Sequence, residues 1–436
     1  MTASTLHEIY LPTEIVVQIM SYVSNTPDKA DRRQATLYAC CLVSRQWYSA
    51  AIPYLYEKPI LRFGSSFSQF AATISPPLHV ARKNKLKLGS YVRRLDLSGL
   101  VHHSSPSLTA RLLGKVKENL VVFSAPRVSF AINSLPALSK CTKLQSLDLS
   151  LVGDSFPFLE FKRALSHLTR LTTLRLPRTH HLTPPPPSTA PSTATSAIPW
   201  PPRLQNLQLT GDFAANPALA RYFSWPAALT SLILKDCKDL DDSPLTTLLL
   251  SDPTLPAATL RRLKIDPSNR LPLTFVNRLP LTLPDLDYLS VPGDAVDFTF
   301  FENLDERAQL LRQPVAWRTL ELDRPCSEDT AASLMYFTPG TLVHALQNGL
   351  AHVRAVGISE AWELKGGEVE EIDAVLRSRF SKTKKQQQQQ NSQIGVGGIP
   401  SPPTSVDEDE AVDDDDDADA DDDDDDDDDD IGVYYL

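Results

Sequence analysis

The chain has 436 residues, is 42% hydrophobic and 22% charged, and carries a formal charge of −11. That composition is enough for a large buried core and excludes a wholly disordered chain, with room for two or three domains. Its 35 prolines against 16 glycines disfavour long helices and argue against a helical bundle. The net charge conceals a split: residues 401–436 hold twenty acids and no Lys or Arg, so the remaining 400 carry +9. The body is basic and the tail is acidic.

The opening MTASTLHEIY lacks the basic start and apolar centre of a secretory signal, and no stretch approaches the roughly 18 apolar residues of a membrane span. Cys40, Cys41, Cys141, Cys237 and Cys326 are odd in number and scattered, which disfavours a disulfide framework. The expectation is an intracellular protein, cytoplasmic, nuclear or both, with no membrane partner.

Leu11-Pro12-Thr13-Glu14-Ile15 predicts a helix start, because proline at the first helical position gives up no hydrogen bond and Glu14 complements the positive helix end. Ile15, Ile19 and Val23 recur at four-residue steps, widened by Val16 and Met20, until Ser24-Asn25-Thr26-Pro27 stops the helix. A second amphipathic stretch places Leu37, Cys40, Cys41, Ser44, Trp47 and Ala51 on one face and is expected to close at Pro53. Two helices of this size make too small a core to stand alone.

These residues resemble the F-box family. Leu11-Pro12-x-Glu14-Ile15-x-x-x-Ile19 is similar to the opening of that motif. Cys40-Cys41-Leu42-Val43-Ser44-Arg45-Gln46-Trp47 is similar to its second half, and Tyr54-Leu55-Tyr56 to the exit found in fungal members. The polar stretch from Asn25 to Gln34 is longer than the family usually has. The resemblance implies docking onto a Skp-family adaptor, and through it onto a cullin–RING ubiquitin ligase, with Leu11, Pro12, Ile15, Ile19, Leu42, Val43 and Trp47 at the contact. The competing reading is a helical cap over the open end of the next domain.

Along the body an apolar-x-x-apolar-x-apolar pattern recurs. Its copies start at Val92, Leu144, Leu171, Leu204, Leu229, Leu260, Leu286, Trp317 and Val353, with a weaker one, Leu120/Phe123/Ala125, in the one double-length gap. The spacing averages about 29 residues, at the upper edge of the roughly 20–29 residue period of the leucine-rich repeats that this pattern resembles. The last two apolar positions lie two apart, so they point the same way on a short strand and into a core. Stacked parallel strands with helix or loop returns, for which Phe161 to Leu168 and Ser243 to Leu250 have the apolar content, would bury a continuous column. The run Leu229-x-x-Leu232-x-Leu234-x-x-Cys237-x-x-Leu240 resembles the cysteine-containing leucine-rich repeats that often follow an F-box. The expected fold is α/β: a short helical F-box over residues 7–60 and an irregular leucine-rich-repeat solenoid over 61–380. A disordered poly-Gln/poly-Asp tail over 381–436 completes it. The alternative for the middle is an ordinary α/β domain whose strands share a pattern.

In that register the open strand face carries a polar row running from Arg94 and Asp96 through Arg175 to Arg262 and Lys264, then Tyr288, Ser290 and Glu321. Arg94, Arg175, Arg262, Lys264 and Tyr288 are the candidate substrate-binding residues, suited to acidic or phosphorylated side chains because Arg offers paired hydrogen bonds. The competing reading is a solvated strand face. Pro184 to Pro202 is expected to be an extended, flexible insertion, and Ile431 to Leu436 ends the tail with an apolar hexapeptide.

No Gly-rich phosphate loop, no C-x-x-C and no second ligand pair beside His102-His103 or His180-His181 occurs in the sequence, so no cofactor, metal site or catalytic set is expected. The basic residues are dispersed and no nucleic-acid motif is present, so no nucleic-acid partner is expected. The reading that combines these features is a non-catalytic substrate receptor of an SCF-type ubiquitin ligase. The alternative is a repeat scaffold outside ubiquitination whose acidic tail binds basic partners such as histones.

Overall fold

A computed structural model describes residues 11–26, 30–76, 87–100, 106–184, 198–211, 219, 223–237, 240, 259–310, 312–326, 336–362, 364–379 and 432–435. They fall into two compact units, Met1–Leu273 and Thr274–Leu436.

The first unit opens with three helices, α1 (Thr13–Asn25), α2 (Ala30–Cys41) and α3 (Arg45–Glu57). Three replace the expected two because Ser44 ends the second stretch early: its backbone is extended and its side chain accepts from the Trp47 N–H, an N-cap that starts a new helix. Pro53 does not close α3, which continues to Glu57 with the proline inside it, and α2 takes up half of the polar stretch expected to be linker. Val16, Met20, Leu37, Ala50 and Ala51 form the core of the bundle, with Ile19, Val23, Trp47 and Leu55 packed on its margin. Polar bonds fasten the bundle to the neighbouring chain. The Ile60 N–H donates to Gln34 Oε1 at 2.8 Å, Arg62 pairs with Asp31 at 2.6 Å, and the Arg93 N–H donates to the Glu57 carbonyl at 2.9 Å. Helix α4 (Gly64–Ile74) comes next and buries Phe67, Phe70 and Ile74.

Seven short strands then pair in parallel: β1 (Arg94–Asp96), β2 (Val122–Ser124), β3 (Ser146–Asp148), β4 (Thr173–Arg175), β5 (Asn206–Thr210), β6 (Ser231–Lys235) and β7 (Arg262–Ile265). Helices α5 (Pro106–Val116) and α6 (Phe158–Ser166) lie between strands. The register aligns Leu95, Phe123, Leu147, Leu174, Leu207, Leu232 and Leu263 in one row. Every one of them is at most 1% exposed, and the flanking apolar positions are equally closed. The period-2 alternation therefore sorts the sheet into a dry face and an open one. The weak copy Leu120/Phe123/Ala125 is a full member of the series. Leu95-Asp96-Leu97-Ser98 and Leu147-Asp148-Leu149-Ser150 repeat one turn, in which the aspartate accepts from the serine N–H at 3.0 Å and from its hydroxyl.

The C-terminal end of the proline-rich insertion is anchored. Trp200 is buried, donates from Nε1 to the Ser224 carbonyl at 2.6 Å, and packs with Phe158 and Phe223. Residues 185–197 of that insertion, and the expected helical return from Ser243 to Leu250, lie outside the described residues. Lys162 on α6 is buried against this aromatic cluster, 5.1 Å from the Trp200 ring, with Nζ donating to Ser224 Oγ at 2.9 Å. Desolvation pulls its pKa down to about 8.

The second unit holds four parallel strands, β8 (Tyr288–Pro292), β9 (Thr319–Asp323), β10 (Ala355–Ile358) and β11 (Gly432–Tyr435). Helices α7 (Phe298–Leu310), α8 (Pro339–Gln347) and α9 (residues 366–379) accompany them. Its apolar triplets, Leu286/Leu289/Val291, Trp317/Leu320/Leu322 and Val353/Val356/Ile358, are buried in the same way. Strand β11 departs from the expected disordered tail, since Gly432 to Tyr435 pair with β10. The rest of the tail, residues 380–431, lies outside the described residues.

Candidate functional site

Helix α1 turns Val16, Met20 and Val23 inward, so Ile15, Ile19 and Tyr22, spaced by a turn of helix, form a neighbouring stripe. Ile15 is 43% exposed and Tyr22 70%, and Leu11 and Pro12 at the helix entry also face solvent. The turn between α2 and α3 carries Leu42 and Val43, held by N–H bonds to the Ala39 and Cys40 carbonyls at 3.0 and 3.2 Å and exposed by 70% and 64%. Gln46 ties the two regions together, donating from Nε2 to the Leu11 carbonyl at 2.7 Å and to Thr13 Oγ1 at 3.3 Å. Two adjacent aliphatic side chains held out to water by a fixed turn form an exposed apolar pair of the kind that suits a partner's apolar groove.

Of the seven adaptor-contact residues read from the sequence, Leu11, Pro12, Ile15, Leu42 and Val43 are exposed, whereas Ile19 and Trp47 are half-buried against the bundle core. Tyr22, Tyr38 and Val17 are exposed apolar residues of the same bundle that the sequence reading passed over. Their signal was helical phase: once Val16, Met20 and Val23 face inward, Tyr22 must face out.

On the open strand face of the first unit, Arg94, Ser146, Thr173, Asn206, Ser231 and Arg262 share one row, and Asp96, Asp148, Arg175, Gln208, Ile233 and Lys264 share the next. Four of the five candidate substrate residues therefore belong to two rows of one sheet. Arg175 is ion-paired to Asp148 at 3.0 Å. Lys264 lies near Asp266, whose carboxyl is lowered by its bonds to Ser268 and by Lys235 and Lys264 despite its burial. Tyr288 belongs to the second unit, where its hydroxyl donates to Glu321. Ser290, expected on the open face, is fully buried.

Burial pushes the Cys141 thiol up to about 12, and burial with the neighbouring Cys40 raises Cys41, which disfavours the reactive thiolate at these two positions. Among the described residues no group of three or more His, Cys, Asp or Glu is placed to hold a metal ion, and no helix is long and apolar enough to cross a membrane.

The three-helix bundle with its outward apolar face lies in residues 9–62, and that segment matches the F-box-like family. The chain carries an F-box-like domain at its N-terminus and is homologous to fungal F-box proteins. It is 29% identical over 252 residues to F-box protein YDR306C of Saccharomyces cerevisiae, a match covering 56% of this chain and 49% of that protein. It is 26% identical over 275 residues to Protein pof5 of Schizosaccharomyces pombe, covering 62% of this chain and 70% of the relative. All seven residues of the candidate adaptor contact fall inside the matched 9–62 segment.

Proposed function

We propose that this protein is the non-catalytic substrate-recognition subunit of an SCF-type cullin–RING ubiquitin ligase. The observation that carries the reading is the exposed Leu42–Val43 turn beside Leu11, Pro12 and Ile15, on a bundle that matches the F-box-like family. In this reading those residues enter a groove of a Skp-family adaptor, while Ile19 and Trp47 hold the bundle behind them. The bonds from α3 to Arg93 and from Gln34 to Ile60 support a rigid link to the following domain. The proposed adaptor contact then lies at the start of α3 and the link to the sheet at its end, where the Glu57 carbonyl accepts from Arg93. The domain division that goes with this function is an adaptor-docking segment over 7–60, a leucine-rich-repeat substrate domain over 61–380 and a tail over 381–436.

Substrate is held on the strand rows that contain Arg94, Arg175, Arg262 and Lys264, which favour an acidic or phosphorylated segment. Tyr288 leaves this set because its hydroxyl is engaged by Glu321. The chain supplies proximity, and the transfer chemistry belongs to the conjugating enzyme recruited by the ligase. Reconstitution of the full chain with a Skp-family adaptor and a cullin–RING module tests the reading. A stable ternary assembly in size-exclusion chromatography supports it, and a chain that elutes apart from the adaptor overturns it.

A further inference from the structure

The acidic tail does not end in acid. After Asp430 the chain closes with Ile431-Gly432-Val433-Tyr434-Tyr435-Leu436, and Gly432 to Tyr435 add a parallel strand to the edge of β10. The Gly432 N–H donates to the Arg354 carbonyl at 3.2 Å, and the Val433 N–H reaches Asp373 Oδ1 on α9 at 3.4 Å. Asp373 is itself held by Arg377 Nε at 2.7 Å. The directed side-chain contact of the strand comes from Tyr434, whose hydroxyl crosses β10 and donates to Glu321 Oε1 on β9 at 2.6 Å.

That crossing is possible because position 357 has no side chain. A Cβ on Gly357 would stand 2.8 Å from Glu321 Cγ and 2.9 Å from two Tyr434 ring carbons. Glu321 is 8% exposed, and its other oxygen accepts from the Tyr288 hydroxyl. A nearly buried carboxylate with each oxygen bonded to a phenol, one of them arriving through a glycine gap, is built to read a neutral tyrosine. Phenylalanine would leave one oxygen of a buried carboxylate without its donor, and phosphotyrosine would set two anions against each other. The glycine two positions before Tyr434 is also specified, since Gly432 has φ +148° and a Cβ there would meet Asp373 Oδ1 at 3.0 Å.

We propose that the edge of β10 is a peptide-binding site for extended segments of the form Gly-x-Tyr, and that the chain's own C-terminus is its intramolecular ligand. The mode is addition of a strand to a sheet edge, with backbone bonds giving affinity and one tyrosine giving selectivity. Residues 380–431 separate β11 from the end of α9 in the same chain, so the docked strand is an intramolecular competitor for this edge. A partner carrying the same pattern must displace it. This site is separate from the adaptor contact and does not rest on it.

The experiment uses fluorescence polarisation of a labelled IGVYYL peptide against the full chain and against the chain ending at Asp430. The truncated chain should bind saturably, and the full chain roughly tenfold or more weakly, because its own terminus occupies the edge. A peptide with phenylalanine at the Tyr434 position should bind about tenfold weaker, one phosphorylated there should not bind, and Gly357→Ala in the truncated chain should abolish binding without altering the circular dichroism spectrum. The proposal is overturned if the folded truncated chain ignores the peptide, or if the tyrosine, phenylalanine and phosphotyrosine peptides bind alike. It is equally overturned if the full chain binds as well as the truncated one. A truncated chain that fails to fold would make β11 a structural strand and overturn it too.

Discussion

Replacing Lys162 by methionine should stabilise the protein near neutral pH and lose that advantage in alkali. Lys162 is 2% exposed, with its Nζ 2.9 Å from Ser224 Oγ and 5.1 Å from the Trp200 ring. Its pKa falls from 10.5 to about 8 on burial. At about 1.4 kcal/mol per pKa unit, a shift of that size means the charged form lies about 3 kcal/mol higher in the fold than in the unfolded chain. Below pH 8 the native lysine is protonated and the full penalty acts. Between about 8 and 10.5 the unfolded chain holds the extra proton, so stability rises with pH through that window and levels off above it.

Methionine removes the penalty and keeps the apolar stem, at the loss of about 1 kcal/mol for the bond to Ser224. Ser224 itself is exposed and can turn to water. The variant should therefore be about 2 kcal/mol more stable at pH 7 and about 1 kcal/mol less stable near pH 10.5. Urea denaturation followed by tryptophan fluorescence at both pH values reads the difference, and groups that titrate in both proteins cancel. A wild type that is the more stable at pH 7, or a difference that does not change with pH, would refute the reasoning.

Packing and charge lead to three further expected outcomes. Leu37→Ala opens the core of the N-terminal bundle and should destabilise it by about 2–5 kcal/mol, seen as a lower first transition in thermal unfolding. Gly293→Ala drives a methyl to 2.5 Å from the Trp362 ring, which donates from Nε1 to the Asp323 carbonyl. The resulting overpacking should lose about 1–3 kcal/mol in the second unit, measured by denaturant titration. Arg262→Glu with Lys264→Glu should weaken capture of acidic substrate roughly tenfold or more in a ubiquitin-transfer assay while leaving adaptor affinity unchanged.

The strands were legible because the constraint on them is one-dimensional. Leu95, Leu147, Leu174 and Leu232 each had to be apolar at a fixed offset, and pairing in register asks nothing else of them. Even Phe123 and Ala125, with no leucine, kept the spacing and so kept the strand. The helical breaks were less legible because they depend on local competition. Ser44 begins a new helix only because its hydroxyl reaches the Trp47 N–H, while Pro53 stands inside α3, which runs on to Glu57. Trp200 read as part of a proline-rich loop, since its burial comes from Phe158 and Phe223, far away in sequence. The terminal strand was hidden for the same reason. Val433 and Tyr434 show too short an alternation to predict a strand, and the partner that makes them one is the edge of β10 together with the gap at Gly357.

An F-box motif marks the proposed adaptor contact as a region but does not separate what packs inside from what faces out, so the residues within it were blurred. Leu42 and Val43 resolve that ambiguity and carry the sharpest test. Isothermal titration of a purified Skp-family adaptor into the full chain should give saturable binding, and Leu42→Asp with Val43→Asp should abolish it while the thermal unfolding profile stays unchanged, as expected for substitutions at exposed positions. Adaptor binding of undiminished affinity in that variant, or no binding by the unaltered chain, would contradict the assignment of this protein as an adaptor-docked substrate receptor.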